Sequence, residues 1–139
     1  MVCFAETIIR SPVTNIGYNS GGELPLSEKM LSEHVVMGFK SGAKLRLINF
    51  IGAPQLRLGA DSTVSAAADY ATPQSWALAL HDVFPRADGI LYMSRHINTK
   101  TAVAIFQRAK IKLTTGGHLD LLRHHDFPDI AKKFAISLV

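Results

Sequence analysis

The sequence predicts an α+β fold, and three observations lead to that prediction. Short apolar runs typical of strands alternate with short stretches of helical periodicity, without a regular strand–helix–strand repeat. The 139 residues are 47% hydrophobic and 19% charged, so a chain of this length can bury roughly 65–70% of its unfolded surface without a disulfide or a metal. No internal repeat or long linker interrupts it, and residues 1–139 are therefore predicted to form one domain.

The clearest single element is a helix over residues 70–83. Thr72 is a favourable N-cap, and Pro73 suits the first helical position. An apolar face follows at helical spacing and consists of Trp76, Ala79, Leu80 and Val83.

Two apolar runs further along predict a pair of adjacent strands. Residues 90–94 and 102–107 alternate in the manner of strands, and a polar loop over 95–101 connects them. We expect the 70–83 helix to pack Trp76 and Leu80 against this hairpin.

The remaining elements are shorter. Residues 2–9 fit either a short helix or a strand, and residues 11–23, rich in Gly and Asn, predict a loop. Further strands are predicted at 44–50, at 110–113 (ending at Gly116-Gly117) and at 134–139. Short helices are predicted at 54–58, 119–124 and 128–133, and a helix followed by a strand is predicted within 26–37.

Composition excludes several classes of protein. A single cysteine, Cys3, cannot form an internal disulfide, and we interpret it as a small buried apolar residue. No apolar run approaches the roughly 18 residues of a membrane span, and the start MVCFAETIIR lacks the basic region of a signal peptide. A cytoplasmic location is the default expectation, with no membrane partner.

The histidines do not predict a metal site. None of the six forms a familiar ligand pattern with cysteine, glutamate or another histidine. On the helix predicted at 119–124, His124 and the next residue His125 would point about 100° apart and chelate poorly. We therefore expect no metal cofactor.

The net charge of +4 is concentrated late in the chain. Between Arg95 and Arg123 there are six basic residues, and Asp120 is the one acid. Such an excess favours either an anionic partner or an ordinary solvated basic face. A nucleic-acid platform is the least favoured class because Phe106 is the one aromatic residue in that stretch.

Two polar residues within apolar segments are candidate site residues. Glu6 lies in FAETII and Ser94 ends the strand GILYMS, on the same face as Tyr92. Taken alone, each also fits a plain structural reading, because Glu6 can lie at the surface and Ser94 can simply end a strand.

A series of segments, in order, resembles the RES domain family, which is named for its Arg, Glu and Ser positions. CFAETI resembles the family's Glu-bearing segment, and the series continues with KLRLINFIGAPQLRLGAD, DYATPQSWALALHD, ADGILYMSRHINTKTAVAIFQR and the terminal strand FAISLV. The resemblance spans nearly the whole chain and implies a mixed sheet with short flanking helices, similar to ADP-ribosyltransferases.

The resemblance implies an NAD-consuming toxin of a bacterial toxin–antitoxin pair. NAD would be the substrate, cleaved at the nicotinamide–ribose bond by phosphorolysis, hydrolysis or ADP-ribosyl transfer. Glu6 and Ser94 match the family's catalytic Glu and Ser. We place NAD binding at Arg95, from its position and charge, and at Tyr92 beside Ser94. The implied protein partner is an antitoxin with a DNA-binding domain, so nucleic acid would be reached only indirectly.

The chain also departs from the family pattern. The family's Arg precedes the Glu by several tens of residues, whereas five residues precede Glu6 here and Arg10 follows it. The fold is therefore expected to be incomplete at the N-terminus, without the Arg-bearing part, and the chain to deplete NAD poorly or not at all. The alternative interpretation is a non-catalytic RES remnant that binds an antitoxin or itself.

Overall fold

A computed structural model describes residues 1–9, 17–41, 44–67 and 69–139. Its α-helices are α1 (Val2–Phe4), α2 (Glu28–Ser32), α3 (Ala53–Arg57), α4 (Ser62–Ala66), α5 (Ala71–Val83) and α6 (Phe127–Lys133). Its strands are β1 (Leu24–Leu26), β2 (Val35–Ser41), β3 (Leu47–Phe50), β4 (Gly89–Met93), β5 (Thr101–Ile105), β6 (Leu113–Asp120) and β7 (Ile136–Leu138). A π-helical turn spans Ala5–Ile9, and 3₁₀ turns span Gln107–Lys112 and Leu121–Arg123.

The described chain divides into two compact units. The first unit contains Met1, Cys3–Lys40 and Thr114–Val139, and the second contains Val2 and Ser41–Leu113. The first unit is therefore assembled from two segments that are far apart in sequence, whereas the second is almost entirely one continuous segment.

Two small sheets and one apolar cluster build the first unit. Strand β1 pairs in parallel with β7, with Leu24 opposite Ile136, and β2 pairs with β6. The cluster comprises Phe4, Ile8, Leu24, Leu26, Leu31, Leu121, Phe127 and Ile130.

The segment that fitted either a helix or a strand is helical. Phe4 and Ile8 are four residues apart, and both are buried in this cluster, as one face of a helical segment requires. The Phe4 ring meets Phe127 edge-on at a centroid distance of 6.5 Å and stacks on Phe134 at 6.0 Å. Aromatic packing between α1 and α6 therefore fixes the conformation that local sequence left open.

The second unit contains a three-stranded mixed sheet in the order β3–β4–β5. Strand β3 is parallel to β4, and β4 is antiparallel to β5, with Tyr92 opposite Ala102. This confirms the predicted hairpin. Helix α5 contributes Trp76 and Leu80 to a cluster that includes Phe50 and Ile90 of the sheet, as predicted.

The start and the buried face of α5 differ from the prediction. Tyr70 is the N-cap, so Thr72 lies within the first turn, where its backbone N–H donates to the Asp69 carboxylate at 2.8 Å. Ala79 is exposed and Val83 is 68% exposed. The apolar residues at helical spacing thus form a wider face than the part of α5 that packs against the apolar cluster of the second unit.

The prediction for residues 110–124 was wrong. Residues 107–112 form a 3₁₀ turn where a strand was expected, and β6 runs through Gly116-Gly117 where that strand was expected to end. The predicted helix at 119–124 is reduced to the turn at Leu121–Arg123. Pairing with β2, which is remote in sequence, holds β6 extended through two glycines that locally favour a turn.

The combination of short helices, parallel pairs and an antiparallel pair confirms the α+β class.

Of the predicted loop at 11–23, residues 11–16 lie outside the described residues. In the remainder, the Asn19 side-chain oxygen accepts the backbone N–H groups of Gly21 and Glu23. Among the described helices the longest, α5, has 13 residues, and none combines the length and apolar character that a bilayer span requires.

Candidate functional site

Glu6 lies between Phe4 and Ile8, which both belong to the apolar cluster of the first unit. It belongs to the π-helical turn Ala5–Ile9, in which Ala5 and Ile8 are buried and Glu6 itself is half-buried. The turn thus anchors the backbone on both sides of the carboxylate through packing, and leaves part of the Glu6 side chain accessible.

Ser94 lies at the end of β4, at the start of the loop of the hairpin. The residue is 1% exposed, and its Oγ accepts the backbone N–H of Ile97 at 3.2 Å. The Ser94 backbone N–H donates to the Lys100 carbonyl at 2.9 Å, and the Lys100 N–H donates to the Ile97 carbonyl at 2.8 Å. The hydroxyl therefore fixes the shape of the loop over residues 95–100.

The two predicted NAD-binding residues flank Ser94 in different environments. Tyr92 is half-buried and packs on the apolar cluster of the second unit. Arg95 is exposed, and its Nη1 donates to the carbonyl of Ala67 at 2.6 Å. This bond ties the hairpin loop to the segment that follows α4.

Three of the four predicted site residues are therefore gathered by one hairpin. Tyr92, Ser94 and Arg95 belong to the second unit, whereas Glu6 belongs to the first. That Glu6 and Ser94 converge on one cleft stays a prediction.

A buried carboxylate in the second unit was missed by sequence reasoning. Asp88 is 4% exposed; its Oδ2 accepts the backbone N–H of Arg46 at 2.7 Å, and the Lys112 ammonium contacts both oxygens at 2.7 and 2.9 Å. The Arg46 N–H and then the Lys112 ammonium hold the pKa of Asp88 below its ordinary value. The sequence does not reveal this environment, because Arg46 and Lys112 are distant from Asp88 in sequence.

Several of the basic residues between Arg95 and Arg123 bind other groups of the protein itself. Arg108 donates to the backbone carbonyls of Pro85 and His81 and lies over the Phe106 ring at 5.0 Å. Lys112 pairs with Asp88, and Arg123 approaches Asp120 at 3.7 Å. The charge excess is therefore a weaker indicator of an anionic partner than the sequence suggested.

The family model for the RES domain matches residues 1–124 of the chain. The chain belongs to the RES domain family. The matched range contains Glu6 and the whole hairpin with Tyr92, Ser94 and Arg95, which agrees with the resemblance seen in the sequence. No curated protein and no solved structure matches the chain.

The second unit of this RES domain has an open cavity of about 470 Å³. It is lined by Arg46, Leu47, Ile48 and residues 83–87, which include Arg86. The volume falls within the range of small-molecule sites. Guanidinium groups at its border favour an anionic group such as a phosphate.

The first unit of the RES domain has a more enclosed cavity of about 330 Å³. Its polar lining groups include Cys3, His34, His124 and Asp126, and most of the rest are apolar. Cys3 is exposed, so its interpretation as a buried residue was wrong. The residues that follow it, Phe4 and Ala5, are buried instead.

The expected divergence of about 100° between His124 and His125 on a helix was wrong, whereas their poor chelation stays a prediction. Both lie between the 3₁₀ turn at Leu121–Arg123 and α6, and their rings stack with centroids 4.4 Å apart and planes inclined by 25°. Without helical geometry, adjacent side chains can lie side by side.

Proposed function

We propose that this RES domain consumes NAD by cleaving the nicotinamide–ribose bond, as the toxin of a toxin–antitoxin pair. The observation that carries the proposal is the family match over residues 1–124, which includes Glu6 and Ser94. The acceptor would be phosphate, water or a protein side chain. The antitoxin would be a protein with its own DNA-binding domain.

In this proposal Glu6 is the catalytic carboxylate. Departure of nicotinamide leaves oxocarbenium character on the ribose, and a carboxylate close to that carbon stabilises the growing positive charge or orients the nucleophile. The half-buried position of Glu6 supports this role, because partial exclusion of water strengthens the interaction while access remains.

The hairpin would hold the rest of the dinucleotide. Tyr92 offers an aromatic surface and a hydroxyl, and Arg95 offers a cation to the pyrophosphate. The hydrogen bond from the Ile97 N–H to Ser94 Oγ supports a role for Ser94 in holding the Arg95 loop in shape. A direct hydrogen bond from Ser94 to the ribose side of NAD stays a prediction.

The test measures NAD loss and nicotinamide release by the 139-residue chain, with and without phosphate. In keeping with the poor NAD depletion expected from the sequence, the rate of the unchanged chain should be low, and Glu6→Gln should lower it further by about 10²–10³-fold, the usual loss on removing a group that stabilises transition-state charge. Glu28→Gln is the matched control, because Glu28 is an exposed glutamate at the start of α2. Equal rates for the two variants would contradict the role of Glu6.

A second comparison of two variants tests where the pyrophosphate of NAD binds. If the hairpin binds it, Arg95→Gln should weaken NAD binding about tenfold or more, whereas Arg86→Gln in the cavity of the second unit should not. The reverse result would move the pyrophosphate to that cavity.

A non-catalytic role is the second candidate, and an exposed apolar surface favours it. Val103, Ile105 and Ile111 are 44%, 38% and 92% exposed, and the first two lie on β5 at the edge of the three-stranded sheet. Exposed edges with apolar side chains commonly bind another chain. A folded chain that neither binds nor consumes NAD, and whose self-association in sedimentation is abolished by Val103→Lys, would favour this candidate.

A further inference from the structure

We infer that His124, His125 and Asp126, between β6 and α6, form a binding site for a divalent transition metal such as Zn²⁺. One possible ligand atom from each residue lies within 4.8 Å of the other two. Imidazole nitrogens and a carboxylate oxygen are a donor set that Zn²⁺ accepts. The proposed NAD chemistry uses none of these residues.

The separations between the donor atoms are close to those in a zinc site. His125 Nε2 lies 3.1 Å from Asp126 Oδ1, and His124 Nδ1 lies 4.0 Å from Asp126 Oδ2. Tetrahedral bonds of about 2.1 Å place neighbouring ligand atoms about 3.4 Å apart. The first pair is close to this spacing, and the second requires a small approach that the 55% exposed Asp126 can make towards the 18% exposed His124.

A metal would compete with one hydrogen bond at the cluster. The backbone N–H of Asp126 donates to Nδ1 of His124 at 3.2 Å, and a metal bound at this nitrogen would replace that long hydrogen bond on the same lone pair. Asp126 is the N-cap of α6, but its carboxylate makes no capping hydrogen bond. Metal binding would therefore cost the helix no side-chain cap.

The cavity of the first unit is a second, independent observation. His124 and Asp126 line it together with His34, whose Nδ1 donates to the Met30 carbonyl at 2.8 Å. Three protein ligands leave a fourth position for water or a small ligand within the cavity.

The experiment is calorimetric titration of the full chain with ZnCl₂. We expect one bound Zn²⁺ per chain and at least tenfold weaker binding for His125→Gln and for Asp126→Asn. The matched controls are His81→Gln, which removes a histidine paired with Asp82 at 2.9 Å, and Asp120→Asn, which changes another exposed aspartate. Both controls should bind like the unchanged chain.

The absorption spectrum of the Co²⁺-bound protein distinguishes metal binding at this site from metal binding at the Cys3 thiol. We expect the bands of nitrogen and oxygen ligands without the charge-transfer band of a thiolate. Absence of one-to-one binding, equal affinities for His125→Gln and His81→Gln, or a thiolate band would overturn the inference. Circular dichroism of each variant verifies that its fold is retained.

Discussion

At the scale of single residues, Asp88 shows how one carboxylate organises the base of a sheet. Its side chain binds Arg46 and Lys112, and its backbone N–H and carbonyl bind the Arg46 carbonyl and the Phe106 N–H at 2.7 and 2.9 Å. These contacts join the residues that precede β3, those that precede β4 and those that follow β5. The ion pair therefore lies at the end of the sheet where β3 and β4 begin and β5 ends.

The lowered pKa of Asp88 predicts acid sensitivity of a definite sign. A carboxyl group whose pKa is lower in the folded state stabilises the fold above its unfolded pKa, about 3.9, and loses this contribution as the pH falls through the folded value. Asp88→Asn should lower the melting temperature at pH 7, and the difference from the unchanged chain should shrink below about pH 4.

Melting curves from neutral to acidic pH measure this difference, and Asp120→Asn provides an exposed comparison. Some acid sensitivity should persist in Asp88→Asn, because hydrogen bonds from Thr63 and Thr72 also lower the pKa values of Asp61 and Asp69. A difference that does not depend on pH would contradict the assigned pKa shift.

At the scale of elements, the β4–β5 pair depends on the absence of a side chain at Gly89. A Cβ atom there would collide with the carbonyl oxygen of Ala104 and lie 3.1 Å from Cα of Ile105. Both obstacles are backbone atoms of β5, so neither can rotate away. Gly89 thus permits the close approach of the two strands of the hairpin that contains Tyr92, Ser94 and Arg95.

Gly89→Ala should therefore destabilise the protein by about 1–3 kcal/mol, the usual cost of overpacking. Urea unfolding measures the change in the free energy of unfolding. Gly38→Ala is the matched control: Gly38 also lies within a strand, and a Cβ there meets its nearest atom at an ordinary 3.9 Å. An equal loss in the two variants would mean that general β-propensity, not the collision, decides the result.

The same scale shows why some elements were predictable. The β4–β5 hairpin follows from local alternation, and the buried Trp76 and Leu80 follow from helical spacing. Strand β6 was missed because its partner β2 is remote in sequence, and the environment of Asp88 was missed for the same reason. Of the candidate site, the sequence identified Tyr92, Ser94 and Arg95 as neighbours, but it could not reveal that the Ser94 hydroxyl shapes a loop.

At the scale of the whole molecule, the second unit is inserted between the two segments of the first. If the second unit unfolds, the first must hold together the ends of a long flexible loop, which costs chain entropy. By thermodynamic linkage, a folded first unit stabilises the second by the same amount. We therefore expect the two units to unfold together, as chains under 150 residues commonly do.

Leu31→Ala tests this coupling. Leu31 is completely buried in the first unit, and its truncation should cost about 2–5 kcal/mol. Trp76, the single tryptophan, lies in the second unit, so its fluorescence reports unfolding there, whereas circular dichroism reports on both units. Both urea midpoints should fall; a fluorescence midpoint that stays in place would show independent units. Leu78→Ala, at a 64% exposed position, should change stability by less than about 0.5 kcal/mol.

The pairing of β1 with β7 also has a consequence for biosynthesis. Leu24 donates its N–H to the Ala135 carbonyl, and Val139 donates to the Leu26 carbonyl, so β1 acquires its partner only after residues 135–139 leave the ribosome. At translation rates of about 5–20 residues per second, β1 waits several seconds for that partner. The second unit is synthesised before then, but it should reach its full stability only when β7 has paired with β1 and the first unit has folded.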